Sequence, residues 1–433
     1  MTLPRRAYRG RLLTPLEGGG IRYLDDALLV VDGGRLTSVC PWTGEIPDPP
    51  ARPVTMGETP RPLRCPAQPV HDLRPAVLVP GFVDTHVHFP QTRVIGRAGA
   101  PLLQWLDGVI FPEEARFADE VYARAVAAEF VAELAAAGTT TASVYSTSGE
   151  QATHVLFEAL AASGLRALAG LTLMDQRCPD ALCVPRGEAM AACERLTTRW
   201  HGHDRGRLGF AVTPRFALSC SRALMEDAAR FAKDGGLLVQ THLSEHPAEG
   251  AAVLAEHPFG GDYLGVYEAV GLLQERTLFA HAIHLSPSEW DRLAARGARI
   301  AHCPDSNFFL GSGRMSLADA GARCVAVGLG SDVAAGRSFD LRSAMAYAYD
   351  NALCLGHRVS AGELFTMATL GGARALGLDG VVGSLEPGKE ADFVAMALPA
   401  HVARPDEVLA QIAFAGSARV VSAFVRGERL APG

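Results

Sequence analysis

Lysine is nearly missing from this chain of 433 residues: only Lys233 and Lys389 occur, so almost all of the 40 basic residues are arginine. Genomic base composition accounts for that skew. No dense Lys/Arg stretch is present and the net charge of −7 is mild, which excludes the electrostatic footprint of a nucleic-acid surface. No apolar run reaches the length of a membrane span, and residues 1–18 hold arginines without the apolar centre of a signal peptide. Paired cysteine spacing is also absent. The nine cysteines, Cys40, Cys65, Cys178, Cys183, Cys193, Cys220, Cys303, Cys324 and Cys354, read as reduced thiols of a cytoplasmic protein. Internal repeats and low-complexity segments are lacking.

What is present is a large apolar fraction, 48%, enough for an extensive core and more than one domain. Residues 27–35 read as a strand followed by a Gly-Gly turn. Ten of the 27 prolines then crowd into residues 41–75, a stretch expected to be irregular and in part a surface insertion. Between 75 and 378, strand candidates recur at 77–84, 140–145, 167–174, 209–214, 237–242, 278–281, 300–303 and 325–330. Helix candidates at 120–137, 153–163, 222–233 and 287–296 lie between them. Eight strands with intervening helices over about 300 residues match a (β/α)8 TIM-like barrel in count and length. A doubly wound open sheet is the alternative. The tail returns to turns and short strands, so residues 1–75 and 380–433 are expected to form one small β-sandwich domain from both chain ends, with the barrel at 76–379.

His86 and His88 end an apolar segment in Pro80-Gly-Phe-Val-Asp-Thr-His-Val-His-Phe-Pro-Gln91. On a strand, residues two apart share a face, so both imidazoles point the same way. His242, His281 and Asp332 end strands five, six and eight of the expected barrel. Barrel enzymes gather their sites at that face, and three histidines with a carboxylate suit zinc or ferrous iron with room for a water. Any one of these histidines alone reads equally as a satisfied strand-end residue; five such residues in barrel order do not. His284 and His302 are expected to be surface or supporting groups.

These motifs, with Thr241-His-Leu-Ser-Glu245, Gly330-Ser-Asp332 and Gly383-Ser-Leu-Glu-Pro-Gly-Lys-Glu-Ala-Asp392, resemble the amidohydrolase superfamily. Narrower features are similar to its guanine deaminase family: Phe89-Pro-Gln91, Trp105-Leu, Phe111-Pro-Glu-Glu-Ala-Arg-Phe117, Thr213-Pro-Arg-Phe-Ala-Leu-Ser-Cys220, His302-Cys-Pro-Asp-Ser-Asn307 and Phe309-Leu-Gly-Ser-Gly313. The resemblance runs from about residue 75 to the C-terminus. It implies one zinc ion per subunit, iron being the other option, held by His86, His88, His242 and Asp332. It further implies His281 beside a bound water, Asp332 as its proton acceptor, and Glu245 as the group that protonates a ring nitrogen and the leaving ammonia. Arg215 then offers donors to the purine O6 and N7, Gln91 offers a donor and an acceptor, and Phe216 walls the ring, with Trp105 a weaker pocket candidate. The implied partners are a small purine and a second copy of the chain in a homodimer, with no nucleic acid and no membrane.

Some barrels of this superfamily bridge two metals through a carbamylated lysine on strand four. Residues 209–214 contain no lysine, so a mononuclear site is expected. The H-x-E with P-C-x-x-C unit of the cytidine-deaminase fold is absent. Two departures from the family pattern occur: Gly330-Ser-Asp332 where Gly-Thr-Asp is common, and Arg337 where a smaller or aromatic residue is usual. The second bears on substrate preference. Competing readings are a related hydrolase acting on 8-oxoguanine, a pterin or a triazine, and a barrel kept as a non-catalytic scaffold.

Overall fold

The computed structural model describes residues 3–47, 69–97 and 100–431. Eight parallel strands follow one another in neighbouring order: Phe82–His88, Thr139–Tyr145, Arg166–Gly170, Leu208–Pro214, Leu238–Leu243, Thr277–His281, Arg299–His302 and Val327–Leu329. Strand eight returns to strand one. The backbone N–H of Asp332 donates to the carbonyl of His86 at 2.8 Å, and that of His88 to Val333 at 3.3 Å, which closes the barrel. Every residue of the first, second and fourth strands is buried, as parallel strands covered on both faces require. Helices Glu120–Ala137, Glu150–Ser163, Arg222–Gly235 and Pro287–Ala295 lie at the four helix positions expected from the sequence. Three of these begin on a side-chain cap: Asp119 accepts from Val121, Ser221 from Leu224 and Ser286 from Glu289.

The single strand expected at 77–84 is two strands. Val70–Pro80 joins a separate sheet and Phe82–His88 opens the barrel, with Gly81 between them. A Cβ at Gly81 would lie 1.9 Å from the Oγ1 of Thr140, so only glycine lets the chain turn there. The apolar run is continuous across this corner, and hydropathy therefore misses it. The strand expected at 167–174 is likewise divided, Thr172–Leu173 pairing only with the end of strand four.

The second sheet has seven strands in the order Glu428–Arg429, Arg419–Val425, Phe393–Ala397, Val70–Pro80, Arg6–Pro15, Ile21–Asp32 and Arg35–Pro41, all antiparallel except Arg6–Pro15 with Val70–Pro80. Both chain ends thus build one sheet. It curls so that Leu36 and Val39 from one edge share a core with Phe393 and Phe424 from the other half, around Tyr8. Most of the proline-rich stretch, residues 48–68 with Cys65, lies outside the described residues. Its last part is not irregular as expected: Val70–Pro80 is an interior strand. Pro75 falls where the ladder slips, between the pairs Arg9 with Asp72 and Arg11 with Val77, so it interrupts no regular hydrogen bond.

Buried charges fasten the sheet to the barrel. Arg166, fully buried at the start of strand three, donates to Asp392 at 3.0 Å and pairs with Glu390, which Arg426 reaches at 2.6 Å. Removing one partner of such a pair typically costs about 3–5 kcal/mol, since the other charge stays buried. Among the described residues the cysteines are free thiols, and no helix is long and apolar enough to cross a membrane.

Candidate active site

Strand one carries Asp84, His86 and His88 on one face. The Nε2 atoms of His86 and His88 lie 3.1 Å apart, and that of His242, near the end of strand five, lies 3.3 Å from His88. Asp332 Oδ1 is 3.2 Å from His86 Nε2 and 3.3 Å from His88 Nε2. Burial pushes His86 down to about 4 and holds His88 and His242 below the ordinary imidazole range, which favours the neutral form that can offer a lone pair to a metal. Burial pushes Asp332 upward, but His86 and His88 outweigh it and keep the carboxylate ionised.

These atoms fit a metal ion. Tetrahedral nitrogen ligands about 2.0–2.1 Å from one ion stand roughly 3.4 Å apart, close to the separations found. The Nδ1 of His242 donates to the carbonyl of Arg215 at 2.6 Å, which fixes the tautomer whose Nε2 faces the other ligands. Tyr145, from strand two, lays its ring 4.6 Å from His86, 4.7 Å from His88 and 5.0 Å from His242, an apolar wall beside the donor set. Asp84 ties strand one to strand eight by accepting from the N–H groups of His86 and Ser331, at 3.1 and 3.0 Å.

His281 sits beside this cluster, its Nδ1 2.9 Å from Asn307 Oδ1 and its Nε2 3.5 Å from Glu245 and 3.8 Å from Asp332. Glu245 is buried, and burial pushes its carboxyl up to about 7. The backbone here is held in the left-handed region at four non-glycine residues, Ser244 (φ 50°), His281 (φ 71°), Ala282 (φ 51°) and Asp332 (φ 50°). Such residues cost on the order of 1–3 kcal/mol each and persist where the surroundings over-determine them.

A cavity opens onto this cluster. His88, His242, His281, Glu245 and Asp332 line it together with Gln91, Arg215, Phe216 and Trp105, among others. The residues singled out in the sequence thus meet around one space, except His86, which stands just behind His88.

A model described as the Amidohydrolase family matches residues 77–430. The chain belongs to the amidohydrolase family. Among curated amidohydrolase relatives, guanine deaminase of Escherichia coli K12 is 40% identical over 377 residues, covering 87% of this chain and 82% of its own. A probable guanine deaminase of Deinococcus radiodurans is 44% identical over 334 residues, 76% of each chain. Among solved structures, a guanine deaminase from C. acetobutylicum with bound guanine superposes with a TM-score of 0.90 at 29% identity, covering 99% of this chain and 100% of that one.

Three supporting residues of this amidohydrolase site carry no role in the sequence reading. Glu114 accepts from Arg215 Nη1 at 2.7 and 2.9 Å; Asn307 holds His281; Ser312 donates to Glu245 at 3.2 Å. All three fall inside motifs picked out as family-like, and that is the only signal that points to them. Arg337 does not reach the cavity, which Ala335 lines instead. Its guanidinium pairs with Asp305 at 2.5 Å and lies over Tyr347 at 4.8 Å, so it pins the loop after strand eight. His284 bonds the carbonyl of Ser312 at 2.7 Å, and His302 is fully buried in strand seven without lining the cavity.

Proposed function

We propose that this chain hydrolyses guanine to xanthine and ammonia, using one divalent ion held by His86, His88, His242 and Asp332. The carrying observation is the cavity itself, lined both by His88, His242 and Asp332 of the metal-type donor set and by the donor-bearing side chains of Arg215 and Gln91. The relatives' guanine deaminase names and the bound guanine of the C. acetobutylicum structure support the same substrate. Zinc, one ion per subunit, is the ion this reading favours: the donors are imidazole and carboxylate, and strand four has no lysine to carry a bridge to a second. When bound, such an ion supplies Lewis acidity that brings a water's pKa from about 16 toward about 7.

The chain's own groups do the rest. Arg215 donates to O6 and N7, which are acceptors only, and Gln91 presents an amide to the ring edge. The Oε1 of Gln91 accepts from the N–H of Ala334 at 3.0 Å, so its amide plane is fixed before substrate arrives. Phe216 and Trp105 wall the ring. Asp332 takes the proton of the water whose oxygen bonds to C2. Glu245, half-protonated near pH 7, delivers a proton to a ring nitrogen, takes up the one Asp332 removed from the water and passes it to the departing amine as the C2–N bond breaks, and regains a proton from the C2 hydroxyl as that becomes the carbonyl. His281, oriented by Asn307, donates to the attacking oxygen. The family resemblance extends this reading to a cytoplasmic homodimer acting in purine catabolism.

Ammonia release from guanine, with adenine and 8-oxoguanine alongside, tests the proposal. Turnover of guanine by the purified protein is expected; a metal-loaded protein inert on guanine but active on another heterocycle overturns the substrate.

A further inference from the structure

Glu113 and Glu114 are neighbours in the short helix Phe111–Ala115, yet they do opposite things. Glu113 turns toward Arg116, 2.9 Å away, and the hydroxyl of Tyr122. Glu114 turns inward, with its side chain wholly buried. It accepts from Arg215 Nη1 at 2.9 and 2.7 Å and from Gln91 Nε2 at 3.4 Å. The two side chains that face the purine's oxygenated edge and ring edge therefore share one anion behind them. Phe111, on the same helix, lays its ring 5.1 Å from the guanidinium. Glu114 does not line the cavity. It has no other partner among the described residues to explain its burial.

We infer that Glu114 is a positioning residue that sets the preference for a 6-oxo over a 6-amino purine, an inference that rests on Arg215 facing O6. The carboxylate engages only Nη1, which leaves Nη2 and Nε of Arg215 for the substrate. Held by a fixed negative charge, the guanidinium keeps one plane and stays donor-only at that position. A carbonyl oxygen satisfies those donors. An amino group at C6 brings its own hydrogens against them and leaves buried donors unpaired, the situation in which hydrogen-bonding sites discriminate most strongly. The same carboxylate orients one N–H of Gln91 away from the ring, while Ala334 holds the amide oxygen. One anion thus registers both recognition groups at once.

Glu114→Gln in the metal-loaded enzyme tests this, with guanine as substrate and 2,6-diaminopurine, which carries an amino group at C6 and no proton on N1, as competitive inhibitor. The expected result is a guanine KM raised about tenfold or more with kcat within about threefold, while the diaminopurine inhibition constant moves much less, so the discrimination falls about tenfold. Metal content stays unchanged. Equal weakening of both ligands, or none, overturns the inference, because a purely structural loss would not distinguish the two. Glu114→Asp keeps the charge but withdraws it by one methylene, and is expected to shift the same ratio in the same direction should the glutamine variant not fold. Arg215→Ala separates the two layers: an unchanged guanine KM there overturns the assignment of Arg215 itself, whereas a raised KM there beside an unaltered Glu114→Gln overturns only the role of Glu114.

Discussion

The carbonyl of Arg215 accepts the Nδ1–H of His242 at 2.6 Å while the guanidinium of the same residue stands in the cavity. In the proposed reaction Arg215 thus serves the site twice: its main chain orients a metal-type ligand and its side chain meets the substrate.

That division of labour predicts a separable effect. Arg215→Ala removes the guanidinium but keeps the carbonyl, so metal content is expected to be unchanged while the guanine KM rises about a hundredfold. Metal analysis beside steady-state kinetics checks it. Loss of metal in this variant would show that the side chain, too, holds His242 in place.

His281 depends on Asn307 for its orientation. Asn307→Ala leaves the imidazole free to turn, and kcat is expected to fall about 10–100-fold with metal retained. An unchanged kcat would remove His281 from the reaction.

In the proposed reaction Glu245 sets the pH dependence. Its carboxyl is pushed up to about 7 by burial, so the protonated, donating form is present below that pH and is lost as pH rises through it. The kcat/KM for guanine is therefore expected to decline on the alkaline side from about pH 7. In Glu245→Gln the rate is expected to fall by about 10²–10⁴. A pH–rate profile of the wild type with no alkaline limb near neutrality contradicts this assignment.

Much of this arrangement was legible in the chain. The spacing of His86 and His88 gives a shared face on any strand, and His242, His281 and Asp332 stand near the ends of strands whose apolar runs are unmistakable. What was hidden has physical causes. The corner at Gly81 interrupts no apolar run, so one strand was read where two exist. Glu113 and Glu114 are chemically alike, and only the fold turns one to Arg116 and the other to Arg215. Asn307 lies in the six-residue helix Pro304–Phe309 and Ser312 in the irregular stretch after it, both too short for periodicity to operate. Arg337 departs from the family pattern yet stays clear of the cavity, because its pairing with Asp305 takes it aside.

Metal removal should act on stability as well as on turnover. In the proposed site four clustered groups, three of them imidazoles at 3.1–3.3 Å from a neighbouring donor atom, lose their common partner. Chelation is expected to lower the melting temperature and abolish activity, with both restored by one equivalent of zinc per chain. Unchanged melting on complete chelation would contradict a metal at this position.

The most direct test of the central claim is ammonia release from guanine by purified, metal-loaded protein, run beside Glu245→Gln. Steady turnover to xanthine that the variant loses is the predicted result. A folded, metal-containing protein that leaves guanine untouched would contradict it.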